Sequence, residues 1–298
     1  MNKNDLIHRI RKNMLQLSKG QKLIANYVLE HYEKAVYLTA AKLGTIVGVS
    51  ESTVVRFANE LGYDGYPKFQ EALEELVKSK LTAMQRLEVT TDRINMQHVL
   101  KSVLQTDEEK IRYTREQIDE IAFDQAVDKI LKAKTIYILG VRSSAGLANF
   151  LGFYFNIIFD NIKLISTNSI SEMFEIIHRI DKNDVIIGIS FPRYSKRVLK
   201  ALEFAKSKEA SIIAITDSYI APIASYSDYT LVGRSEMISF VDSLVAPLSI
   251  INAIIVAVSL KKKDEIAANL ENLENIWVEY EVYDDSQKDI YSSPLEAD

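Results

Sequence analysis

Residues 39–61 read TAAKLGTIVGVSESTVVRFANEL, and their pattern predicts two short helices joined by a tight turn. Gly48 suits that turn because glycine adopts left-handed backbone angles without strain, and Ser50 is a good N-cap for the second helix. Apolar side chains recur at helical spacing and can form an inner face: Ala40, Ala41, Leu43 and Ile46 on the first helix, and Val54, Phe57, Ala58 and Leu61 on the second. The segment therefore predicts a helix-turn-helix motif.

The polar face of the second helix carries the groups that the major groove of DNA requires. Hydroxyl groups bind base edges or phosphates, arginine grips guanine with two hydrogen bonds, and a helix N-terminus favours phosphate. The predicted DNA-binding residues are Ser50, Ser52, Thr53, Arg56 and Asn59, with Lys68 downstream as a backbone contact. The alternative is a helical bundle in which the glycine turn is incidental, but the spacing of the glycine, serine, threonine and arginine favours DNA binding.

Residues 1–80 as a whole are predicted to form an all-α domain around this motif. Ser18, followed by Gln21 three residues later, fits a capping box, and Pro67 suits the first turn of a last helix. This part carries 12 Lys and Arg against 9 Asp and Glu, whereas the remainder carries 24 against 32. A basic head on an acidic body fits DNA contact by the head alone. Residues 81–98 are polar and without clean periodicity, which predicts a linker.

From residue 135 the pattern changes to short β-branched runs that alternate with helical segments. Such alternation predicts a parallel sheet covered on both faces. The predicted strands are Thr135–Leu139, Ile162–Ser166, Asp184–Ile189, Ser211–Thr216 and Tyr229–Val232; the predicted helices are Ala145–Phe159, Ser171–Ile180, Ser195–Lys208, a short piece near Pro222–Ser225, and Phe240–Leu260. A further helical pattern over 99–133 precedes them, so residues 99–283 are predicted to form the second domain and 284–298 a disordered tail. The fold class is α plus α/β, with a flavodoxin-like five-stranded parallel sheet in the order 2-1-3-4-5.

The first domain resembles a known family. Residues 49–69, VSESTVVRFANELGYDGYPKF, are similar to the N-terminal domain of RpiR/MurR-type regulators. In that family a sugar isomerase (SIS) domain follows, which is what residues 99–280 resemble. The resemblance implies a sequence-specific regulator of carbohydrate-metabolism genes that forms a dimer or tetramer on inverted-repeat operator DNA. It also implies allosteric tuning by a phosphorylated sugar bound to the SIS domain.

The residues also locate a ligand site without reference to the family. An open parallel sheet binds ligands at the carboxyl ends of its strands, where the strand order reverses. Here the reversal lies between the first and third strands, which lead into loops that carry hydroxyls and start helices. Backbone N–H groups, hydroxyls and helix N-termini make an anion site, and arginine adds charge-assisted bonds. The predicted effector-binding residues are Arg142, Ser143, Ser144, Ser190, Arg193, Ser195 and Glu236. The alternative is that the serines are only N-caps.

Both loops depart from the pattern of the family. SIS domains usually show Gly-x-Gly-x-Ser after the first strand and Ser-x-Ser-Gly-x-Thr after the third. Here Arg142 replaces the second glycine of the first loop, while Pro192 and Arg193 replace the middle serine and the glycine of the other. One hydroxyl and one close backbone approach are lost, and a cation and an aromatic ring are gained. A phosphorylated sugar in a different pose, a different anion and no ligand at all remain as alternatives.

The composition excludes several classes of chemistry. There is no cysteine, and the four histidines lie far apart, so we expect neither a metal ion nor a cofactor. No apolar run is long enough for a membrane span or a signal peptide, so we expect a cytoplasmic protein with no membrane partner. Acid or base chemistry would fall to Glu172, Asp217, His178 or Glu236, which show no paired arrangement. We expect no enzyme; the alternative is a sugar-phosphate isomerase with an accessory helical domain.

Overall fold

The computed structural model describes residues 6–80, 84, 86–87, 98–235 and 239–283. Contacts divide the chain into two compact units. The first comprises the described residues within Met1–Arg112, Phe191–Tyr194 and Ser235–Val245, and the second those within Tyr113–Ser190, Ser195–Arg234 and Ala246–Asp298. The predicted tail 284–298 lies outside the described residues, as does most of the predicted linker 81–98, so both boundaries stay predictions.

Six helices make up the head of the first unit. Their bounds are α1 Leu6–Asn13, α2 Lys19–Glu30, α3 Tyr32–Ala35, α4 Ala40–Val47, α5 Glu51–Glu60 and α6 Gly65–Lys80. The predicted capping box starts α2, where Ser18 Oγ accepts from Gln21 N at 3.4 Å and Gln21 Oε1 accepts from Ser18 N at 2.9 Å. One apolar core joins the helices, and Phe57 of α5 packs edge-on against Phe69 of α6 at 5.5 Å between ring centroids. Burial of that side of α5 leaves its other side to solvent.

The second unit is built on a five-stranded sheet. Its strands are β1 Ile136–Gly140, β2 Ile162–Ile165, β3 Val185–Ile189, β4 Ser211–Thr216 and β5 Tyr229–Val232. All pairs are parallel and the order is β2-β1-β3-β4-β5, which confirms the predicted topology and places the reversal between β1 and β3. Every residue of β1 and β3 is buried, as the continuous apolar runs predict.

The remaining helices differ in part from the predicted ones. They are α7 Val99–Gln117, α8 Glu120–Lys132, α9 Ser144–Ile158, α10 Ile170–Ile177, α11 Lys196–Ser207, α12 Val245–Lys261 and α13 Lys263–Glu279. The pattern over 99–133 breaks into two helices because Asp119 caps α8 through a 2.9 Å hydrogen bond from Ala122 N. The predicted helix near Pro222–Ser225 is wrong. That stretch forms turns, in which Ser225 Oγ donates to Pro222 O at 2.8 Å.

Two differences concern the C-terminal end of the second domain. The helix predicted from Phe240 begins at Val245, since residues 239–244 form a loop with one bridge residue. Helix α13 was not predicted, and Ile266 is its one buried residue. Among the described residues no single helix has the length and hydropathy of a membrane span; α12 and α13 pass that test only as a pair bent by 98°.

Candidate functional site

The turn between α4 and α5 depends on the backbone of Gly48. Its φ and ψ are 76° and 35°, in the left-handed region, and its N–H donates to Gly44 O at the end of α4. A side chain at Gly48 would meet no atom within 4 Å, so the requirement for glycine is conformational rather than steric. Ser50 Oγ then accepts from Thr53 N at 3.3 Å and caps α5. The structure confirms the predicted turn and cap.

The polar residues predicted on α5 form one strip that starts at the helix N-terminus. Ser50, Ser52 and Arg56 are exposed, and Thr53 is half-buried. The hydroxyl of Ser50 lies 2.9 Å from those of both Ser52 and Thr53. The guanidinium of Arg56 folds back on the helix and donates from Nε to Ser52 O at 3.2 Å. This strip presents hydroxyls, a cation and a helix N-terminus together, which is the donor set that phosphate and guanine require.

Asn59 and Lys68 are exposed to solvent, and each also bonds to a nearby residue of the chain. Asn59 Oδ1 accepts from Gly65 N at 2.9 Å, so this side chain holds the loop between α5 and α6. Lys68 Nζ lies 2.9 Å from both carboxylate oxygens of Glu71, and both side chains are exposed. A pair this exposed is weak, and Lys68 can leave it for a phosphate at small cost. Contact of either residue with DNA stays a prediction, and the structural role of Asn59 is new.

The loops after β1 and β3 start side by side. Gly140, the last residue of β1, is in register with Ile189, the last residue of β3. The chain packs tightly here, because a Cβ on Gly140 would lie 2.5 Å from Ser144 O and 3.0 Å from Ala148 Cβ. Gly140 therefore lets the first turn of α9 sit directly against the strand end. This brings Ser143 and Ser144 to the same edge of the sheet as the start of the second loop.

Arginine occupies a left-handed conformation in both loops. The φ of Arg142 is 57° and that of Arg193 is 67°, and both side chains are exposed. These are the two positions where the family pattern has glycine, the residue that adopts left-handed angles without strain. A non-glycine residue in this region is uncommon and marks strain that functional loops often carry. Arg193 lies in the segment Phe191–Tyr194, which belongs to the first compact unit.

The four predicted serines have different roles. Ser143 occupies the N-cap position of α9 without a side-chain capping bond. Ser144 and Ser190 are buried, with 4% of the surface of each exposed. Ser195 caps α11, since its Oγ accepts from Arg197 N at 3.2 Å, and its own N–H donates to Ser190 Oγ at 3.4 Å. The N-cap interpretation thus holds for Ser195, whose hydroxyl hydrogen can still be donated.

Two residues at this edge of the sheet were not predicted. Thr216, the fully buried last residue of β4, donates from Oγ1 to Ser190 O at 2.8 Å and fixes the start of the second loop. Arg197 in the first turn of α11 donates to Asn168 O at 2.6 Å, in the loop after β2. The available signals were a threonine at the end of a buried strand and an arginine beside an N-cap. Their hydrogen-bond partners are 26 and 29 residues away, so the sequence did not reveal these contacts.

Among the described residues, the acid and base candidates do not gather into a catalytic pair. His178 ends α10 at the edge of the sheet opposite the carboxyl ends of the strands. Glu172 is exposed and hydrogen-bonded to Thr167 Oγ1, while Asp217 is buried after β4 and lies 3.3 Å from Thr216 Oγ1. Glu236 lies outside the described residues. The described residues also contain no group of three or more His, Cys, Asp or Glu side chains that could hold a metal ion.

Comparison with known proteins identifies both halves of the chain. The model of the helix-turn-helix domain of the rpiR family matches residues 4–80, and the SIS domain model matches residues 129–257. The chain belongs to the RpiR family of transcriptional regulators. Its α5 is therefore the recognition helix of a DNA-binding domain, and its parallel sheet is that of a SIS domain. The resemblance drawn from residues 49–69 is confirmed.

Relatives of this RpiR-family chain are similar over most of their length. An HTH-type transcriptional regulator of Clostridium perfringens is 25% identical over 228 residues, which cover 76% of this chain and 80% of that protein. HexR of Escherichia coli, also an HTH-type transcriptional regulator, is 23% identical over 217 residues and covers 72% and 73%. The structure of Vibrio vulnificus NanR complexed with ManNAc-6P superposes with a TM-score of 0.56 at 20% identity, covering 92% of this chain and 98% of that one. That structure shows the shared fold.

Proposed function

We propose that this RpiR-family chain is a cytoplasmic regulator of carbohydrate-metabolism genes that binds operator DNA through α5 and senses a phosphorylated sugar. The main support for sugar-phosphate binding is the pairing of Gly140 with Ile189, because two hydroxyl-bearing loops start beside each other at these strand ends. Each loop leads into a helix N-terminus, where a phosphate is favoured. The complex of NanR with ManNAc-6P, a phosphorylated amino sugar, supports the class of ligand.

Ligand binding is tested by thermal unfolding of the full chain with N-acetylmannosamine 6-phosphate, glucosamine 6-phosphate, fructose 6-phosphate and inorganic phosphate. A ligand at 100 times its Kd adds about 2.7 kcal/mol to the free energy of unfolding, which raises the Tm. Ser190→Ala should abolish that rise. Ser207→Ala is the matched control, because Ser207 is an exposed serine at the other end of α11. A flat response to all four compounds would contradict sugar-phosphate sensing.

DNA binding is tested with duplexes selected by the full chain from a random-sequence library. Arg56→Ala should weaken binding by about 1–3 kcal/mol and relax the preference at one base pair, as loss of a base contact does. The Tm should not change, since Arg56 is exposed. Arg115→Ala removes an exposed arginine of α7 and should leave affinity unaltered. Equal affinities of the two variants would remove Arg56 from the DNA interface.

We also infer a homo-oligomer, because one recognition helix reads one half-site of an inverted repeat and a second copy must supply the other. We propose that the second copy packs against exposed apolar residues of α9 and α12, where Phe153, Val256 and Leu260 are 63%, 57% and 70% exposed. Burying such a face is the usual source of dimer stability. Phe153→Glu should lower the mass measured by sedimentation. A monomeric wild-type chain at micromolar concentration would contradict this inference.

The chain is proposed not to be an enzyme. Relatives across most of its length are named transcriptional regulators. Among the described residues, Glu172, His178 and Asp217 do not come together as a catalytic acid and base. An isomerase needs a positioned acid or base beside the sugar. Incubation with fructose 6-phosphate and arabinose 5-phosphate, followed by NMR of the sugars, should show no interconversion. Turnover that disappears with Asp217→Asn would establish the alternative of an isomerase.

A further inference from the structure

A cluster of charged and polar side chains is buried in the first unit. Arg86 Nη1 lies 2.8 Å from Asp242 Oδ1. Ser243 Oγ donates to Asp107 Oδ1 at 2.6 Å, and Lys110 Nζ lies 3.8 Å from the same carboxylate oxygen. We call these five residues the buried charge cluster. They form two cation–carboxylate pairs, so the formal charges cancel within the cluster.

The burial of this cluster separates it from other ion pairs of the chain. The side chains of Arg86 and Asp242 are 3% and 14% exposed, and those of Lys110 and Asp107 are 3% and 16%. By contrast, the Lys261–Asp128 pair is 46% and 54% exposed. Moving charges out of water is expensive unless they are well paired, and hydrophobic residues of similar volume would pack there without that expense. Stability alone therefore does not explain why charges occupy this position.

The connectivity of the cluster suggests what it is for. Arg86 lies six residues beyond the end of α6, the last helix of the DNA-binding head. Asp107 and Lys110 are on α7. Asp242 and Ser243 lie between β5 and α12, in the loop that starts at the carboxyl end of a strand. In a parallel sheet this is the same edge at which the loops after β1 and β3 start.

We propose that the buried charge cluster is the coupling element of this regulator, through which DNA binding at α5 and the state of the β5–α12 loop influence each other. The proposal rests on the proposed function for DNA binding, but it does not require the identity of the effector. A buried ion pair has a narrow range of favourable geometries, because displacement of either charge leaves the other buried and unpaired. A change in the segment after α6 is thus passed to Asp242 as a change in position.

Coupling is reciprocal, so it can be detected from the DNA side with no sugar present. Hydrogen–deuterium exchange of the full chain is measured with and without a selected operator duplex. In the wild type, the duplex should slow amide exchange in α5, which it contacts, and also change exchange in residues 239–244 by about fivefold or more. The second change is the signature of coupling.

The deciding variant replaces both partners of the ion pair, Arg86→Met together with Asp242→Leu. A single replacement leaves one buried charge and endangers folding, whereas the apolar pair preserves the volume. The double variant should bind the duplex and protect α5 like the wild type but lose the change at 239–244. The matched control is Lys261→Met with Asp128→Leu, which removes the exposed ion pair and should keep both changes. Ser243→Ala, which removes the bond to Asp107, should reduce the change at 239–244.

Each result bears on the proposal in a different way. If the double variant keeps the full change at 239–244, or the wild type shows none there while α5 is protected, the cluster does not couple and the proposal is overturned. Binding of no duplex at all would overturn both the proposed function and this coupling. DNA-induced coupling in a chain that binds no sugar phosphate would support this proposal and remove only the sensing half of the proposed function.

Discussion

Replacement of Gly140 by alanine tests the tight junction between β1 and α9. The added Cβ would lie 2.5 Å from Ser144 O and 3.0 Å from both Ser144 C and Ala148 Cβ. Two of these atoms belong to backbone in the first turn of α9, which cannot rotate away as a long side chain does. The strand end or the helix must therefore shift by about 0.9 Å to restore an ordinary contact of 3.4 Å.

The size of the effect follows from that shift. Forcing an extra methyl group into a packed site costs about 1–3 kcal/mol of the free energy of unfolding. For a unit of this size, 2 kcal/mol lowers the Tm by about 4–8 °C. The same movement displaces Ser143 and Ser144 from the strand edge, so the sugar-phosphate response should also be lost. Stability and ligand binding should fall together, because both depend on the close contact of Gly140 with Ser144.

Thermal unfolding of the full chain, followed by circular dichroism, measures the Tm of Gly140→Ala. The control is Gly146→Ala on the exposed face of α9, where an added Cβ meets no atom within 4 Å. Because alanine is the better helix former, this control should gain about 0.5–1 kcal/mol. If Gly140→Ala unfolds at the wild-type temperature and still responds to ligand, the argument from close approach is refuted.

Three further predictions concern the DNA-binding head. Gly48→Val should lower the free energy of unfolding by about 1–2 kcal/mol, because valine is strained in the left-handed region. Gly48→Asn should lower it by less, and equal Tm values for these two variants would contradict a conformational cause. Asn59→Ala should lower it by about 1 kcal/mol through loss of the bond from Gly65 N, measured by urea unfolding with Asn59→Asp, which keeps an acceptor, as the control. The hydroxyl of Tyr66 donates to Leu38 O, and burial raises its pKa to about 12, whereas the unfolded chain ionises near the ordinary value of 10. Stability should therefore fall from about pH 10 to pH 12, and Tyr66→Phe should not show that fall; parallel pH profiles would contradict the assignment.

The elements that the sequence predicts well are those with a strong local signal. The continuous apolar runs predict the buried strands β1 and β3, and Gly48 followed by Ser50 predicts a turn and a helix N-cap. The structure contains both strands, the turn and the cap. The predicted order of the strands is confirmed as well. Helix α13 was not predicted, although Ile266, Leu270, Leu273 and Trp277 recur at helical spacing and were an available signal.

The site is predictable at the level of the loops and less so for individual side chains. The predicted loops after β1 and β3 do start together, because topology alone fixes that edge of the sheet. The bond between Thr216 and Ser190 joins residues 26 positions apart, and that between Arg86 and Asp242 spans 156. Arg86 stands in a polar stretch that the sequence assigns to a linker. Long-range polar pairs leave no periodic pattern, so a single sequence does not disclose them.

The buried ion pair also limits how regulators of this kind can be recombined. A chimaera that grafts a foreign DNA-reading head at residue 98 would replace Arg86 while keeping Asp242 in its buried position. A buried carboxylate that loses its arginine destabilises a protein by about 3–5 kcal/mol, a large share of the stability of an ordinary domain. Designers of hybrid biosensors should therefore transplant α7 and residue 242 with the head, which makes the exchangeable module discontinuous in sequence.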